Sequence, residues 1–142
     1  MNKSSHLKGN LGGIQHLGVP VTNLESSVRF YQDLGFERIM SAEVTEGDDA
    51  IQVAMMKHDN VIIELYQLTG EEREALKNRS DGHIDHIAFS VKDIDQAFEE
   101  LTSAGFETIE DKPVFLDFWE NGCRYFAIRG PDGEKLEFNQ IF

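Results

Sequence analysis

The chain has 142 residues, of which 40% are hydrophobic and 27% charged. That suits one compact domain, residues 1–142, with a substantial core. The formal net charge of −13 argues against a nucleic-acid partner, because phosphate binding calls for a basic patch. No apolar run approaches the roughly 18 residues of a membrane span, and the polar start lacks the apolar centre of a secretion signal. The single Cys123 cannot close an internal disulfide, so a reducing, cytoplasmic setting is expected, with Cys123 as an ordinary strand residue.

Met1 to Asn10 reads as a frayed tail with His6 in solvent. From there the chain repeats itself. Shifted by 70 positions, Ile14-Gln15-His16-Leu17-Gly18-Val19-Pro20-Val21 falls on Ile84-Asp85-His86-Ile87-Ala88-Phe89-Ser90-Val91. Without a gap, Asn23-Leu24-Glu25 then matches Asp93-Ile94-Asp95, and Gly35-Phe36-Glu37 matches Gly105-Phe106-Glu107.

Each copy opens with a short strand. Asn23 or Asp93 follows as a helix start. Apolar stripes come next: Leu24, Val28, Tyr31 and Leu34 in copy one, and Ile94, Ala97, Phe98 and Leu101 in copy two. Gly35 and Gly105 are placed to stop the helices. Copy one continues with strands at Phe36–Val44, Ala50–Lys57 and Val61–Leu68, with a hairpin turn at His58-Asp59-Asn60. The acidic Glu43–Asp49 reads as strand ends around a turn at Gly47. Copy two continues with strands at Phe106–Glu110, Cys123–Ile128 and Lys135–Ile141, the last two joined by a turn at Gly130-Pro131-Asp132-Gly133.

The predicted organisation is therefore two tandem βαβββ modules, 13–69 and 83–142, joined by a polar linker, 70–82, with room for one helical stretch. The fold class is α+β. Two helices cannot cover both faces of such a sheet, so the expected form is a concave, partly closed mixed sheet with helices outside and a ligand in the hollow.

Side chains alternate along a strand, so His16 shares a face with Ile14 and Gly18, and His86 with Ile84 and Ala88. In the last strand of each copy, Glu64 and Glu137 interrupt apolar runs whose neighbours point the other way. A lone strand histidine or glutamate is usually solvated or a satisfied core group. Here one of each recurs in register with a repeat. Two imidazoles and two carboxylates suit one divalent first-row cation (Ni, Zn, Mn, Co or Fe) with positions left for substrate. His58, in a turn, and His83, out of phase with His86, lack that support.

These residues carry a family likeness over about residues 13–142. The chain resembles the vicinal-oxygen-chelate superfamily, also called glyoxalase/bleomycin resistance/dioxygenase. The marks are Ile14–Val19, Val28-Arg29-Phe30-Tyr31 before Leu34-Gly35-Phe36, Ile84–Phe89, and Gly130–Phe138. The His, Glu, His, Glu set is most similar to the glyoxalase I (lactoylglutathione lyase) branch. That resemblance implies His16, Glu64, His86 and Glu137 as metal ligands. It also implies a lyase or isomerase in which the metal chelates two adjacent substrate oxygens and a ligand carboxylate shuttles the proton through an enediolate, Glu137 first and Glu64 next. It further implies a homodimer and a small-molecule substrate. Glutathione-dependent members carry an arginine four residues after the first histidine and an asparagine four after the first glutamate. Pro20 and Leu68 stand there, which argues against glutathione. The alternatives are a methylmalonyl-CoA epimerase-like enzyme, an extradiol dioxygenase, or a non-catalytic drug-binding resistance protein. The aromatic loop Asp111–Gly122 reads as a lid or as core cover, and Phe118, Trp119, Tyr66 and Arg124 are candidates for substrate contact.

Overall fold

The computed structural model describes residues 5–82, 84–131 and 135–142. In chain order these form β1 (Leu11–Val21), α1 (Leu24–Asp33), β2 (Glu37–Glu46), β3 (Asp49–His58), β4 (Val61–Gln67) and α2 (Gly70–Lys77), then β5 (His86–Val91), α3 (Ile94–Ser103), β6 (Val114–Leu116), β7 (Cys123–Arg129) and β8 (Lys135–Ile141). The α+β class and the tandem modules follow the repeat. Two compact units result: His16–Asp85, and His86–Phe142 with the segment up to Gln15. By contacts, the division falls inside β1, and the opening residues group with the second module. No helix among the described residues is long and apolar enough to cross a membrane.

In the first unit, β2, β3 and β4 form an antiparallel meander, and β1 adds to β4 in parallel. One face of this sheet sends Ala54, Met56 and Leu65 against Leu24 and Val28 of α1. In the second unit the order is β5-β8-β7-β6, again with the first strand parallel to the last. Phe126 and Phe138 pack at 5.2 Å between centroids, and Phe98 of α3 meets Phe126 edge-on at 5.1 Å. Ile94, Ala97 and Leu101 complete that core.

The helices begin and end as their sequences require. Asn23 Oδ1 accepts from the Ser26 N–H at 3.0 Å, and Asp93 Oδ1 from the Gln96 N–H at 3.0 Å. After α1, Gly35 takes φ of 100° while the Gly35 and Phe36 N–H groups donate to Gln32 and Tyr31 carbonyls. After α3, Gly105 takes φ of 93° with the same bonds from Gly105 and Phe106 to Thr102 and Leu101. Both ends are Schellman closures, which need a residue that tolerates positive φ.

Three expectations are corrected. Leu7 to Asn10 is not frayed. Leu7 is buried in the second core, and its N–H donates to Glu100. Asn10 accepts from the Lys92 and Asp93 N–H groups and donates to the Asp93 carbonyl. His6 is exposed as expected, with an edge-on contact to Phe106. Phe106–Glu110 is not a strand; it makes only an isolated bridge, Thr108 to Ile128. The strand is instead Val114–Leu116, within the expected lid. Leu34 is exposed because it is the C-cap of α1 rather than part of its buried stripe. The segment 70–82 supplies α2, as its composition allowed. His83 and the turn residues Asp132, Gly133 and Glu134 lie outside the described residues, as do Met1 to Ser4.

Removing a cap tests this local account. Asp93→Ala should cost about 1 kcal/mol of unfolding free energy in a urea titration, and Asp93→Asn should retain most of it. An unchanged midpoint for the alanine variant would refute the capping role.

Candidate functional site

The parallel pairing in each unit decides which side chains face together. In the first unit Gly18 lies opposite Glu64. In the second, Ala88 lies opposite Glu137. His16 and His86 each sit two residues earlier on the same strand face, and a two-residue step along a strand is roughly 6.7 Å. The small Gly18 and Ala88 leave the space between imidazole and carboxylate clear. His16 Nε2 stands 3.9 Å from Glu64 Oε1, and His86 Nε2 stands 3.9 Å from Glu137 Oε1. The four side chains are largely removed from solvent: 2% and 13% accessible in the first pair, 7% and 12% in the second.

A separation of 3.9 Å is too long for a hydrogen bond. It is shorter than the roughly 4.2 Å spanned by two metal–ligand bonds of about 2.1 Å laid end to end. Each pair therefore fits a shared divalent cation.

The carboxylates have different neighbours at the next position on their face. Two residues beyond Glu137, Asn139 is buried at 3% accessibility. Its Nδ2 donates to Glu137 Oε2 at 3.2 Å. Its Oδ1 and its main-chain carbonyl each accept from Gln15 Nε2 at 3.2 Å. A chain of amides thus fixes the Glu137 carboxylate. Two residues beyond Glu64 stands Tyr66. Burial, and after it the adjacent Asp85 carboxylate, pushes the Tyr66 phenol far above the usual phenol range. It stays protonated and serves as a hydrogen-bond donor.

The other face of the same strands ties down the helices. Gln67 Oε1 accepts from the Leu24 N–H at 2.9 Å, and Gln140 Oε1 from the Ile94 N–H at 2.9 Å. Each glutamine lies three residues after its glutamate, an odd step that reverses the face. This duplicated tie and the Gln15–Asn139 link were missed in the sequence. The glutamines stand in register with the repeat, which was the available signal.

Arg124 belongs to the helix side. It pairs with Gln140 in the ladder, and its guanidinium forks onto Asp95 of α3 with two bonds of 2.9 Å. That contact holds the Asp95 carboxyl below its ordinary value, and it takes Arg124 off the face that carries Glu137. Phe118 is buried, whereas Phe115, on the edge strand β6, is exposed. Trp119 holds φ of 62°, a conformation a bulky residue seldom adopts. Cys123 is buried.

Residues 13–138 match the family described as Glyoxalase/Bleomycin resistance protein/Dioxygenase superfamily. An uncharacterised protein of Bacillus subtilis (strain 168), YwbC, is 30% identical over 131 residues, covering 89% of this chain and 96% of its own. Among solved structures, methylmalonyl-CoA epimerase from Mycobacterium tuberculosis superimposes with a TM-score of 0.75 at 23% identity, over 99% of this chain and 93% of that one. A mutant 4-hydroxymandelate synthase from Streptomyces coelicolor gives 0.73 at 16% identity, over 92% of this chain and 49% of that one. At these identities the structural likenesses establish the fold.

The amide chain generates a test. Asn139→Leu removes the donor to Glu137 Oε2 and the side-chain acceptor of the Gln15 amide, while the main-chain acceptor stays, at a cost of about 1–3 kcal/mol in urea unfolding. Asn139→Gln should restore part of that loss. A leucine variant as stable as the parent would show that these bonds contribute nothing.

Proposed function

Because this chain belongs to the glyoxalase/bleomycin resistance/dioxygenase superfamily, we propose that it is a metal-dependent lyase or isomerase acting on a small substrate with two adjacent oxygens. The observation that carries this is the repeated pair. In each unit an imidazole and a carboxylate stand 3.9 Å apart on one strand face, at matching register. His16, Glu64, His86 and Glu137 would together hold one divalent cation. Their donor set of two nitrogens and two carboxylates fits Ni, Zn, Mn, Co or Fe. When bound, the cation would supply Lewis acidity toward the substrate oxygens.

The protein's own groups do the rest. A substrate carbon bearing an acidic hydrogen needs a base within hydrogen-bond reach. Glu137 is assigned that role. Asn139 donates to its Oε2, and Oε1, which stands toward His86, would serve in turn as donor to the cation and as acceptor of the proton. Glu64 is the second candidate. Low accessibility around both pairs limits competing protonation from bulk water. Pro20 and Leu68 offer no polar anchor for glutathione, so another thiol adduct or a 2-oxoacyl substrate is favoured. The fold shared with methylmalonyl-CoA epimerase supports testing an epimerase reaction, which would use the same proton transfer. A homodimer and a cytoplasmic setting complete the proposal.

Metal analysis of protein purified without chelator should give about one divalent ion per chain. His16→Ala and Glu137→Ala should each reduce that content severely while the far-ultraviolet spectrum is retained. Activity should be sought with methylglyoxal–thiol adducts and with methylmalonyl-CoA, and should vanish on chelation. Full metal content in both alanine variants would dismiss the ligand assignment.

A further inference from the structure

Beyond Glu64 on the same face of the first unit lies a cavity of about 270 Å3. Its position follows from the β1–β4 register, which places Pro20 opposite Tyr66, one pleat repeat beyond Gly18 and Glu64. Pro20 and Leu68 line it with Leu76 of α2, and Tyr66, Asp85, Glu72 and Arg79 supply its polar groups. At a liquid-water share of ~30 Å3 per molecule it holds about nine waters. That is below the roughly 300–1,000 Å3 of a site for a whole drug-sized ligand. It is the size of one arm of a substrate.

The charges are layered. Glu72 and Arg79 are exposed, opposite in sign and screened by water. Arg79 Nε is already directed to the Asp81 carbonyl at 3.0 Å. Asp85 and Tyr66 are the partly buried polar groups. A carboxylate offers about four lone-pair sites, so Asp85 can accept from Tyr66 and still accept from a ligand. An anionic arm would meet Asp85 with like charge, which is costly where solvent is reduced. An ammonium on a short aliphatic stem would lay its stem on Pro20, Leu68 and Leu76 and its head on Asp85.

We propose that this cavity, one pleat repeat or roughly 7 Å along the strands from Glu64, is a specificity pocket for an ammonium-bearing arm of the substrate. The inference rests on the proposed function for its role in turnover, but binding can be read without turnover. In amide NMR spectra of the full chain, n-butylammonium should shift the signals of Tyr66, Leu68 and Leu76, and n-butyrate should not. Asp85→Asn should weaken the shift at least tenfold in apparent affinity. Leu76→Trp, which fills the cavity from α2 and leaves every carboxylate in place, should abolish it. In turnover of methylglyoxal adducts, 2-(dimethylamino)ethanethiol, whose tertiary ammonium cannot cyclise onto the aldehyde, should exceed 3-mercaptopropionate at least tenfold in kcat/KM, with 2-mercaptoethanol between them. Asp85→Asn should level the series. Butylammonium shifts without turnover of any adduct would keep the pocket and sink the reaction. Equal shifts by butyrate, no shift by either ion, or measurable turnover that is equal across the thiols would overturn the pocket.

Discussion

The parallel pairing of the first and last strands within each module is the constraint from which the site follows. Parallel strands cannot be joined by a tight hairpin; they need a crossover. Each module supplies one through a helix and two further strands. The register then sets Gly18 against Glu64 and Ala88 against Glu137. A slip of one residue would turn every side chain of a strand to the other face. The carboxylate would enter the helix-packed core, and Leu65 or Phe138 would leave it. The hydrophobic pattern that stabilises the sheet therefore also fixes the donor geometry, at the cost of burying two ionisable pairs.

One strand does two tasks in each module. On one face β4 carries Glu64; on the other, Gln67 accepts from the first helical N–H of α1. In the second module β8 repeats this with Glu137 and Gln140. A helix N-terminus leaves backbone donors without intrahelical partners, and each glutamine satisfies one of them from the strand. The helix is thereby fixed to the strand that presents the carboxylate. The Arg124–Asp95 fork adds a second tie on the helix side of module two.

The duplicated elements were legible because their causes are local. Asn23, Asp93, Gly35 and Gly105 act within one turn of chain, and His16, Glu64, His86 and Glu137 break apolar patterns at fixed offsets. The errors fall where distant groups decide. Leu7 to Asn10 looks polar and loose, but Asn10 satisfies backbone groups at Lys92 and Asp93, more than eighty positions away. Phe106–Glu110 has β-forming residues but secures a single bridge, while Val114–Leu116 takes the edge beside β7. Leu34 fits a helical stripe by spacing, yet the helix closes at that residue and its side chain faces solvent. Arg124 could be assigned a face only once the β7–β8 register was known.

The repeat is most informative where it fails. Two residues beyond the glutamate, on the same face, module one has Tyr66 and module two has Asn139. Asn139 joins Gln15 in an amide chain that immobilises its carboxylate. Tyr66 instead lines a cavity together with the Asp85 carboxylate. Two identical halves would present the same neighbours to anything bound beside either glutamate. Distinct neighbours remove that equivalence. The histidine–glutamate pairs keep the repeat, and the positions beside them break it. Under the proposed function, selectivity is expected from the unmatched residues and the chemistry from the matched ones.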